Sequence, residues 1–287
     1  MTRPLTLGYS TCPNDTFLFH ALAHGMVDCR GLEFDIRLAD VEQLNQDAES
    51  GVLDVTKLSF AAIGQLQERY ALLRSGAALG RGCGPLVVAR PGFDASRLGR
   101  TRVAVPGMRT TAAMLLGLYL SKAPACAAMI FDRIMPAVAR GDFDAGVIIH
   151  EGRFTYQEHG LSSLVDLGRW WEEETGLPIP LGGIAVRRDL GPDIARRVEA
   201  AIRDSVAYAF QHPEASADYV RAHAQEMAAD VVRQHIALYV NDFTLELGAS
   251  GVAAVVELFR RGHMAGLLSL SRRALLAVDD SGAPGEK

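Results

Sequence analysis

The stretch Gly51-Val-Leu-Asp54-Val-Thr-Lys57-Leu-Ser59 is followed ninety residues later by a similar one, Gly141-Asp-Phe-Asp144-Ala-Gly-Val-Ile-Ile-His150. In each, a helical segment ends at a glycine, an aspartate stands three residues on, and an apolar strand ends in polar residues. Glycine suits the position after a helix because it adopts the left-handed conformation without a Cβ clash. An apolar run of this kind is typical of a parallel strand buried on both faces. The pair predicts two copies of one α/β unit, a coincidental match of short patterns being the alternative.

The rest of the chain alternates short β-branched runs with segments of helical periodicity, which favours an α/β architecture. The linker Arg90-Pro-Gly-Phe-Asp-Ala-Ser96 separates the two similar units. We therefore predict two lobes facing one another: a discontinuous first lobe of residues 1–90 plus 188–287, and a second lobe of residues 91–187. Residues 279–287 are predicted to be a disordered tail because small, polar and charged residues dominate them.

Individual elements are predicted from the same pattern. The predicted strands are Leu5–Ser10, Leu32–Leu38, Val55–Ser59, Leu86–Arg90, Arg102–Val105, Phe131–Ile134, Ala145–His150 and Gly183–Arg187. The predicted helices begin near Asn14 or Asp15 as N-cap, and then cover Val41–Ser50, Phe60–Tyr70, Thr110–Lys122, Pro136–Arg140, Asp193–His212 and the stretch from Asp230 to about Gly262.

Composition excludes several classes of protein. The 287 residues are 49% hydrophobic and carry a formal net charge of −5, so the basic footprint of a nucleic-acid-binding protein is missing. The four cysteines are far apart, and no spacing typical of metal ligands occurs. No apolar run approaches the ~18 residues of a membrane span, and residues 1–10 contain no hydrophobic signal core. We expect a cytoplasmic protein with reduced thiols, bound neither to nucleic acid nor to a membrane.

His150 is the strongest candidate for chemistry. It ends an apolar strand, and the carboxyl ends of such strands are where open α/β sheets place ligand residues. An imidazole that titrates near neutrality can act there as a general base. A hydrogen-bonded histidine at the lobe boundary is the alternative. Other histidines, His212, His223 and His235 among them, lie in polar helical surroundings and are predicted to be on the surface.

Two strand-to-helix connections are candidate binding loops. Ser10-Thr-Cys12-Pro13-Asn14-Asp15-Thr16-Phe17 and Val105-Pro106-Gly107-Met108-Arg109-Thr110-Thr111 are both rich in polar residues. The N–H groups at a helix start, with Asn14, Thr110 and Thr111 beside them, can receive an anion. Helix capping alone is the alternative for each loop. Cys12 has no base paired with it by any motif and is predicted to be a small buried thiol.

Six segments, taken in order, form a recognisable set: Ser10-Thr-Cys-Pro-Asn-Asp-Thr-Phe17, Thr56-Lys-Leu-Ser59, Arg74-Ser-Gly-Ala-Ala-Leu-Gly-Arg-Gly82, Gly146-Val-Ile-Ile-His-Glu-Gly-Arg-Phe-Thr-Tyr156, Asp166-Leu-Gly-Arg-Trp-Trp171 and Thr175-Gly-Leu-Pro178. Together they resemble those of the 1,4-dihydroxy-6-naphthoate synthase family of the futalosine route to menaquinone. The resemblance covers about residues 7–250, with Thr11 standing where the family usually has proline. The sister family, chorismate dehydratase, shares the stretch from Asp166 to Pro178 but usually lacks the segment from Cys12 to Phe17.

The resemblance implies a two-lobed type II periplasmic-binding-protein fold with the ligand cleft between the lobes. It implies a lyase that needs no cofactor and converts cyclic dehypoxanthinyl futalosine to 1,4-dihydroxy-6-naphthoate and dihydroxyacetone. It further implies that His150 is the general base and that Lys57, Leu58, Ser59, Thr110 and Thr111 contact this small-molecule substrate. A chorismate dehydratase-like enzyme and a non-catalytic binding protein of the same fold are the alternatives. The sequence leaves the oligomeric state open.

Overall fold

The computed structural model describes residues 3–121, 124–224, 228–269 and 271–278. The described strands form two mixed sheets. Sheet A consists of Leu5–Tyr9 (β1), Phe34–Leu38 (β2), Val55–Ser59 (β3), Tyr70–Leu72 (β4), Ala78–Gly80 (β5) and Ile179–Arg187 (β11). Sheet B consists of Leu86–Ala89 (β6), Arg102–Val105 (β7), Ala125–Ala128 (β8), Ala145–Ile148 (β9) and Ser162–Asp166 (β10).

The two sheets share a plan of parallel strands with antiparallel additions. Sheet A has the order β2-β1-β3-β11-β4, in which β1 runs parallel to β2 and β3, while β11 pairs antiparallel with β3, β4 and β5. Sheet B has the order β10-β6-β9-β7-β8, in which β7 runs parallel to β8 and β9, while β6 pairs antiparallel with β9 and β10. The predicted α/β fold class is confirmed.

The repeated pattern is a repeated structure. Gly51 and Gly141 both have left-handed backbone, with φ of 72° and 89°. The N–H of Asp54 donates to the carbonyl of Thr6 at the start of β1, and the N–H of Asp144 donates to the carbonyl of Arg102 at the start of β7. Each aspartate thereby fixes the register between two parallel strands of its sheet.

Helices cover the faces of both sheets. The long helix Gly191–Gln211 (α8) packs against Pro13–Ala23 (α1), and Ser205 joins the two, because its hydroxyl donates to the carbonyl of Leu18 (2.6 Å) and accepts the N–H of Leu22 (3.1 Å). The helices are Pro13–Ala23 (α1), Val41–Glu49 (α2), Phe60–Gln65 (α3), Thr111–Tyr119 (α4), Phe131–Arg140 (α5), Gly152–Thr155 (α6), Leu167–Thr175 (α7), Gly191–Gln211 (α8), Ala217–His223 (α9), Ala229–Tyr239 (α10), Asp242–Leu245 (α11) and Gly248–Met264 (α12).

The largest hydrophobic cluster contains residues from both sheets. Leu58 of sheet A and Phe60, which directly follows β3, belong to this cluster together with Val87 and Val103 of sheet B. Trp171 lies fully buried within the cluster. The two halves are therefore packed against each other around a continuous apolar centre. Among the described residues, no helix is long and apolar enough to cross a membrane.

Several predicted elements differ from the structure. Phe131–Ile134 was predicted as a strand but begins α5, because the buried residues Ile134, Met135, Ala137 and Val138 repeat with helical spacing. The predicted helix Phe60–Tyr70 ends at Gln65, and Tyr70 begins β4. The region from 230 to 262 is three helices rather than one. The short strands β4, β5, β8 and β10 were not predicted, since three to five residues give too little pattern.

The chain also changes sheets earlier than the predicted boundaries at residues 90 and 187. The β6 strand, assigned to the first lobe, belongs to sheet B, and β11, assigned to the second lobe, belongs to sheet A. Each carries a continuous apolar run that fits the interior of either sheet equally well. The predicted disordered tail, residues 279–287, lies outside the described part of the chain.

Candidate active site

A pocket of about 650 Å³, partly open to solvent, lies where four strands of the two sheets end. The carboxyl end of β3 and the segments that follow β1, β7 and β9 all contribute to it, as expected for the carboxyl edges of parallel strands. Its walls combine apolar residues with a few polar groups, which is typical of small-molecule sites. Every predicted site residue lines it: Asn14, Lys57, Leu58, Ser59, Thr110, Thr111 and His150.

A buried ion pair forms one side of the pocket. Nζ of Lys57 lies 2.5 Å from Oδ1 of Asp15, and both side chains are almost completely buried. The carboxylate also accepts the hydroxyl and the N–H of Ser10 (2.7 and 3.2 Å) and the side-chain amide of Asn14 (2.8 Å). A buried carboxylate is tolerated when its oxygens are hydrogen-bonded in this way. Lys57 retains further ammonium protons for a ligand.

The first binding loop differs in detail from the prediction. Helix α1 begins at Pro13 with Cys12 as its N-cap, so Asn14 and Asp15 are not caps but lie in the first turn, where they line the pocket. Proline at the first helical position needs no N–H partner, which is why the helix starts earlier than a capping side chain would predict. Cys12 is buried, as predicted, and burial raises the pKa of its thiol well above the ordinary value.

Ser59 is held by α2. Asn45 accepts the N–H of Ser59 (3.0 Å) and donates its amide to the Ser59 hydroxyl oxygen (3.2 Å). Because that oxygen accepts, the hydroxyl proton stays available to another partner. The same Asn45 amide lies 3.2 Å from Oε2 of Glu42. Sequence reasoning did not identify Asn45, since an asparagine within a helix gives no signal of the strand that it faces.

The two threonines at the start of α4 have different roles. The Thr110 hydroxyl accepts the N–H of Ala113 (3.2 Å) and donates to the carbonyl of Gly107 (2.7 Å), so Thr110 is a helix cap. The Thr111 hydroxyl accepts the N–H of Ala61 (3.2 Å) and donates to the carbonyl of Leu181 (2.7 Å), which joins α4 to the sheet A side. Both hydroxyl protons are thus used within the protein, so an anion at Thr110 and Thr111 would depend on backbone groups. The N–H groups of the first helical turn, which have no acceptor within the helix, are the remaining donors.

His150 combines an unusual backbone with a buried ring. Its φ of 56° lies in the left-handed region, so the residue is a turn and the predicted strand Ala145–His150 ends at Ile148. Nε2 is buried and has no hydrogen-bond partner among the described residues. Burial lowers the pKa of His150 to about 4; the nearby Asp15 carboxylate opposes this shift, and the Lys57 charge adds to it. The imidazole is therefore neutral at physiological pH and able to accept a proton.

His235 corrects a prediction. It was placed on the surface, but it is fully buried on α10, with its ring 5.9 Å from that of His150 and an interplanar angle of 19°. Burial, with the proximity of His150 and of the Lys57 ammonium group, lowers its pKa well below the ordinary value. Polar neighbours in the sequence misled the prediction, because a helix packed on α1 buries only one of its faces. The described residues contain no group of three or more His, Cys, Asp or Glu side chains arranged to hold a metal ion.

Taken together, the pocket offers a neutral imidazole, a buried ammonium group and a helix start around an apolar interior. These groups suit an anionic, largely apolar small molecule from which a proton is removed. The fold belongs to the class of periplasmic-binding-protein folds. A solved Candida albicans protein described as having the generic periplasmic binding protein fold matches with a TM-score of 0.70 at 13% identity, covering 94% of this chain and 92% of that one.

Closer similarities show the family. The family described as Menaquinone biosynthesis matches residues 5–264. A 1,4-dihydroxy-6-naphthoate synthase of Thermus thermophilus is 52% identical over 271 residues, covering 94% of this chain and 98% of the relative. A solved Archaeoglobus fulgidus protein matches with a TM-score of 0.85 at 35% identity, covering 92% and 98% of the two chains. The chain belongs to the menaquinone biosynthesis family and is an enzyme.

Proposed function

We propose that the enzyme converts cyclic dehypoxanthinyl futalosine to 1,4-dihydroxy-6-naphthoate and dihydroxyacetone, with His150 as the general base. The observation that carries the proposal is the neutral His150 imidazole, whose buried Nε2 has no hydrogen-bond partner among the described residues and whose ring lines the pocket. The name of the Thermus thermophilus relative supports the same product. The proposed location is the cytoplasm.

The proposed chemistry is a cleavage without a co-reactant. Nε2 of His150 takes a proton bound to a substrate carbon, the carbon–carbon bond to the sugar-derived fragment breaks, and the proton is returned to the departing fragment. Aromatisation of the remaining ring system supplies the thermodynamic driving force. A positioned base typically contributes ~10²–10⁴-fold to such a step.

Polar contacts at opposite sides of the pocket would orient the substrate. The ammonium group of Lys57 and the hydroxyl proton of Ser59 can bind substrate oxygens, with Asn14 beside them and Leu58 in the apolar wall. Backbone N–H groups at the start of α4, from Thr111 and Ala112, can receive a carboxylate, which the positive end of the helix also attracts.

The two sheets would close on the substrate as two lobes. The chain crosses from sheet A to sheet B between β5 and β6, and returns between β10 and β11. In the present arrangement, the N–H of Arg109 donates to Oε1 of Glu42 (3.3 Å) and its guanidinium donates to Glu49, so the loop before α4 is held against α2. Closure would exclude water from the base and keep the leaving fragment in register.

The test is a product assay with purified protein. Cyclic dehypoxanthinyl futalosine should be consumed with release of 1,4-dihydroxy-6-naphthoate and dihydroxyacetone in equal amounts, as measured by liquid chromatography and mass spectrometry. Chorismate in a parallel reaction tests the dehydratase alternative. Saturable binding of the futalosine compound with no product formed would instead support a non-catalytic binding protein.

A further inference from the structure

Two neighbouring rings lie against the imidazole of His150 in the described part of the chain. Nε2 finds no hydrogen-bond partner among the described residues. The ring meets the edge of Phe131 at 5.0 Å and an angle of 65°, and lies nearly parallel to the ring of His235 at 5.9 Å. The direction in which Nε2 points therefore depends on how firmly these two rings are held.

His235 is the neighbour that a hydrogen bond fixes. Its Nε2 lies 2.9 Å from Oδ1 of Asn14, and the residue is completely buried. The amide of Asn14 donates to Asp15, so its oxygen faces His235 and can only accept. His235 therefore carries its proton on Nε2, and Nδ1, with a lone pair, lies 3.8 Å from Oε2 of Glu151.

The donor and acceptor roles along this row of hydrogen bonds follow from Lys57, which stands at one end of it. Lys57 can only donate and Asp15 accepts from it, Asn14 donates to the same carboxylate oxygen, and His235 donates to Asn14. His235 itself is absent from the pocket lining, where Tyr239, one helical turn later, appears instead. His235 can therefore act on the reaction only through the two lining residues that it contacts, His150 and Asn14.

We infer that His235 is a positioning residue for the reaction, whose ring face holds the imidazole of His150 in the orientation needed to reach the substrate. The inference rests on the proposed role of His150 as base. It assigns Asn14 a second task, since the hydrogen bond from His235 fixes the plane of the supporting ring. It also connects the Lys57 end of the pocket to the base through a single hydrogen-bonded path.

Two substitutions at His235 separate the effect of its ring from the effect of its hydrogen bond to Asn14. His235→Phe keeps a flat ring against His150 and removes the bond to Asn14, whereas His235→Gln keeps an N–H for Asn14 and removes the ring. His212→Gln, at an exposed histidine after α8, is the matched control. If orientation depends on the ring, His235→Gln should lower kcat about 10- to 100-fold with little change in KM, the loss typical of a misplaced catalytic group. His235→Phe, which keeps the ring but not the hydrogen bond that fixes its plane, should lose less turnover than His235→Gln.

A second measurement is independent of the substrate. NMR signals of the His150 ring, assigned by their loss in His150→Asn, should shift in His235→Gln but not in His212→Gln. His235→Leu, a ring-free side chain of similar size, gives the same expectation if His235→Gln does not fold. The inference would be overturned if His235→Gln left both the His150 signals and kcat unchanged. It would also be overturned if His235→Phe and His235→Gln lost kcat equally while the His150 signals did not shift in either variant. If the naphthoate assay fails for the wild type, the NMR comparison still tests the ring contact.

Discussion

Lys57 and Asp15 join the ends of two neighbouring parallel strands through a buried ion pair, Nζ lying 2.5 Å from Oδ1. Lys57 is in β3 and Asp15 follows β1, and these strands pair directly in sheet A. The pair places an ammonium group and its carboxylate partner in the pocket wall and at the same time anchors the loop that carries Asn14. One contact therefore serves both the shape and the electrostatics of the site.

Breaking this pair from one side should be costly. Lys57→Met leaves the Asp15 carboxylate buried without its charged partner, and we expect a loss of about 3–5 kcal/mol in the free energy of unfolding. Adding Asp15→Asn to Lys57→Met should recover much of that loss, because the stranded charge is removed. Chemical denaturation of both single variants and the double variant measures the coupling. Additive losses would contradict a direct interaction.

His150→Asn should separate turnover from binding. Asparagine tolerates the left-handed backbone that this position requires, so the variant should fold normally and keep its affinity for the product. Turnover should fall by at least about 10²-fold, since the proton acceptor is gone. Initial rates measure the first effect and calorimetric titration with 1,4-dihydroxy-6-naphthoate the second. Near-normal turnover would remove His150 from the mechanism.

The pH dependence should reflect the buried imidazole. Burial holds the pKa of His150 at about 4, so the ring stays unprotonated as the pH falls from 7 to 5. The value of kcat/KM should therefore be insensitive to His150 over that range and decline only as the pH approaches 4. Rates are measured at each pH, with circular dichroism as the check that the protein remains folded. A fall in kcat/KM below about pH 6.5 that is absent in the His235 variants would contradict this prediction, because it would mean that the His150–His235 pair takes up a proton near neutrality.

Thr111→Val should act mainly on stability. The hydroxyl bridges the N–H of Ala61 and the carbonyl of Leu181, and its loss leaves both groups without that partner in a buried place, at a cost of about 1–3 kcal/mol. Thr111→Ser keeps the hydroxyl and is the control. Thermal unfolding of the two variants gives the comparison. If valine and serine are equally stable while valine alone weakens product binding, the hydroxyl serves the ligand and not the bridge.

The repeated aspartates should differ in their importance. Asp54 is completely buried and accepts both guanidinium nitrogens of Arg3 and the N–H of Thr6, whereas the more exposed Asp144 accepts the hydroxyl of Thr101. Asp54→Asn should therefore reduce the free energy of unfolding more than Asp144→Asn does, because more charge-assisted bonds are lost. Equal losses in urea denaturation would mean that the stability depends on the backbone N–H of each aspartate, which bonds to Thr6 or Arg102, and not on the side chains.

The sequence by itself determined the α/β class and the two similar units, because these follow from local periodicity. The glycine–aspartate–strand pattern around Asp54 and Asp144 defined both β3 and β9, and polar residues after the buried strands marked two loops and His150 as candidates. Lys57, Leu58 and Ser59 came from the family resemblance, which also rests on the sequence alone. All seven residues line the pocket, because ligand residues of open α/β sheets lie at the carboxyl ends of the strands.

Only the tertiary structure decided which partners these residues have. His235 follows His150 by 85 positions in the chain, and the contact between their rings depends on how α10 packs against α1. The occupation of the Thr111 hydroxyl by Ala61 and Leu181, and the exchange of β6 and β11 between the sheets, likewise depend on contacts between distant segments. Local pattern shows that a residue will be buried, but the partner it meets is set by the packing of whole elements.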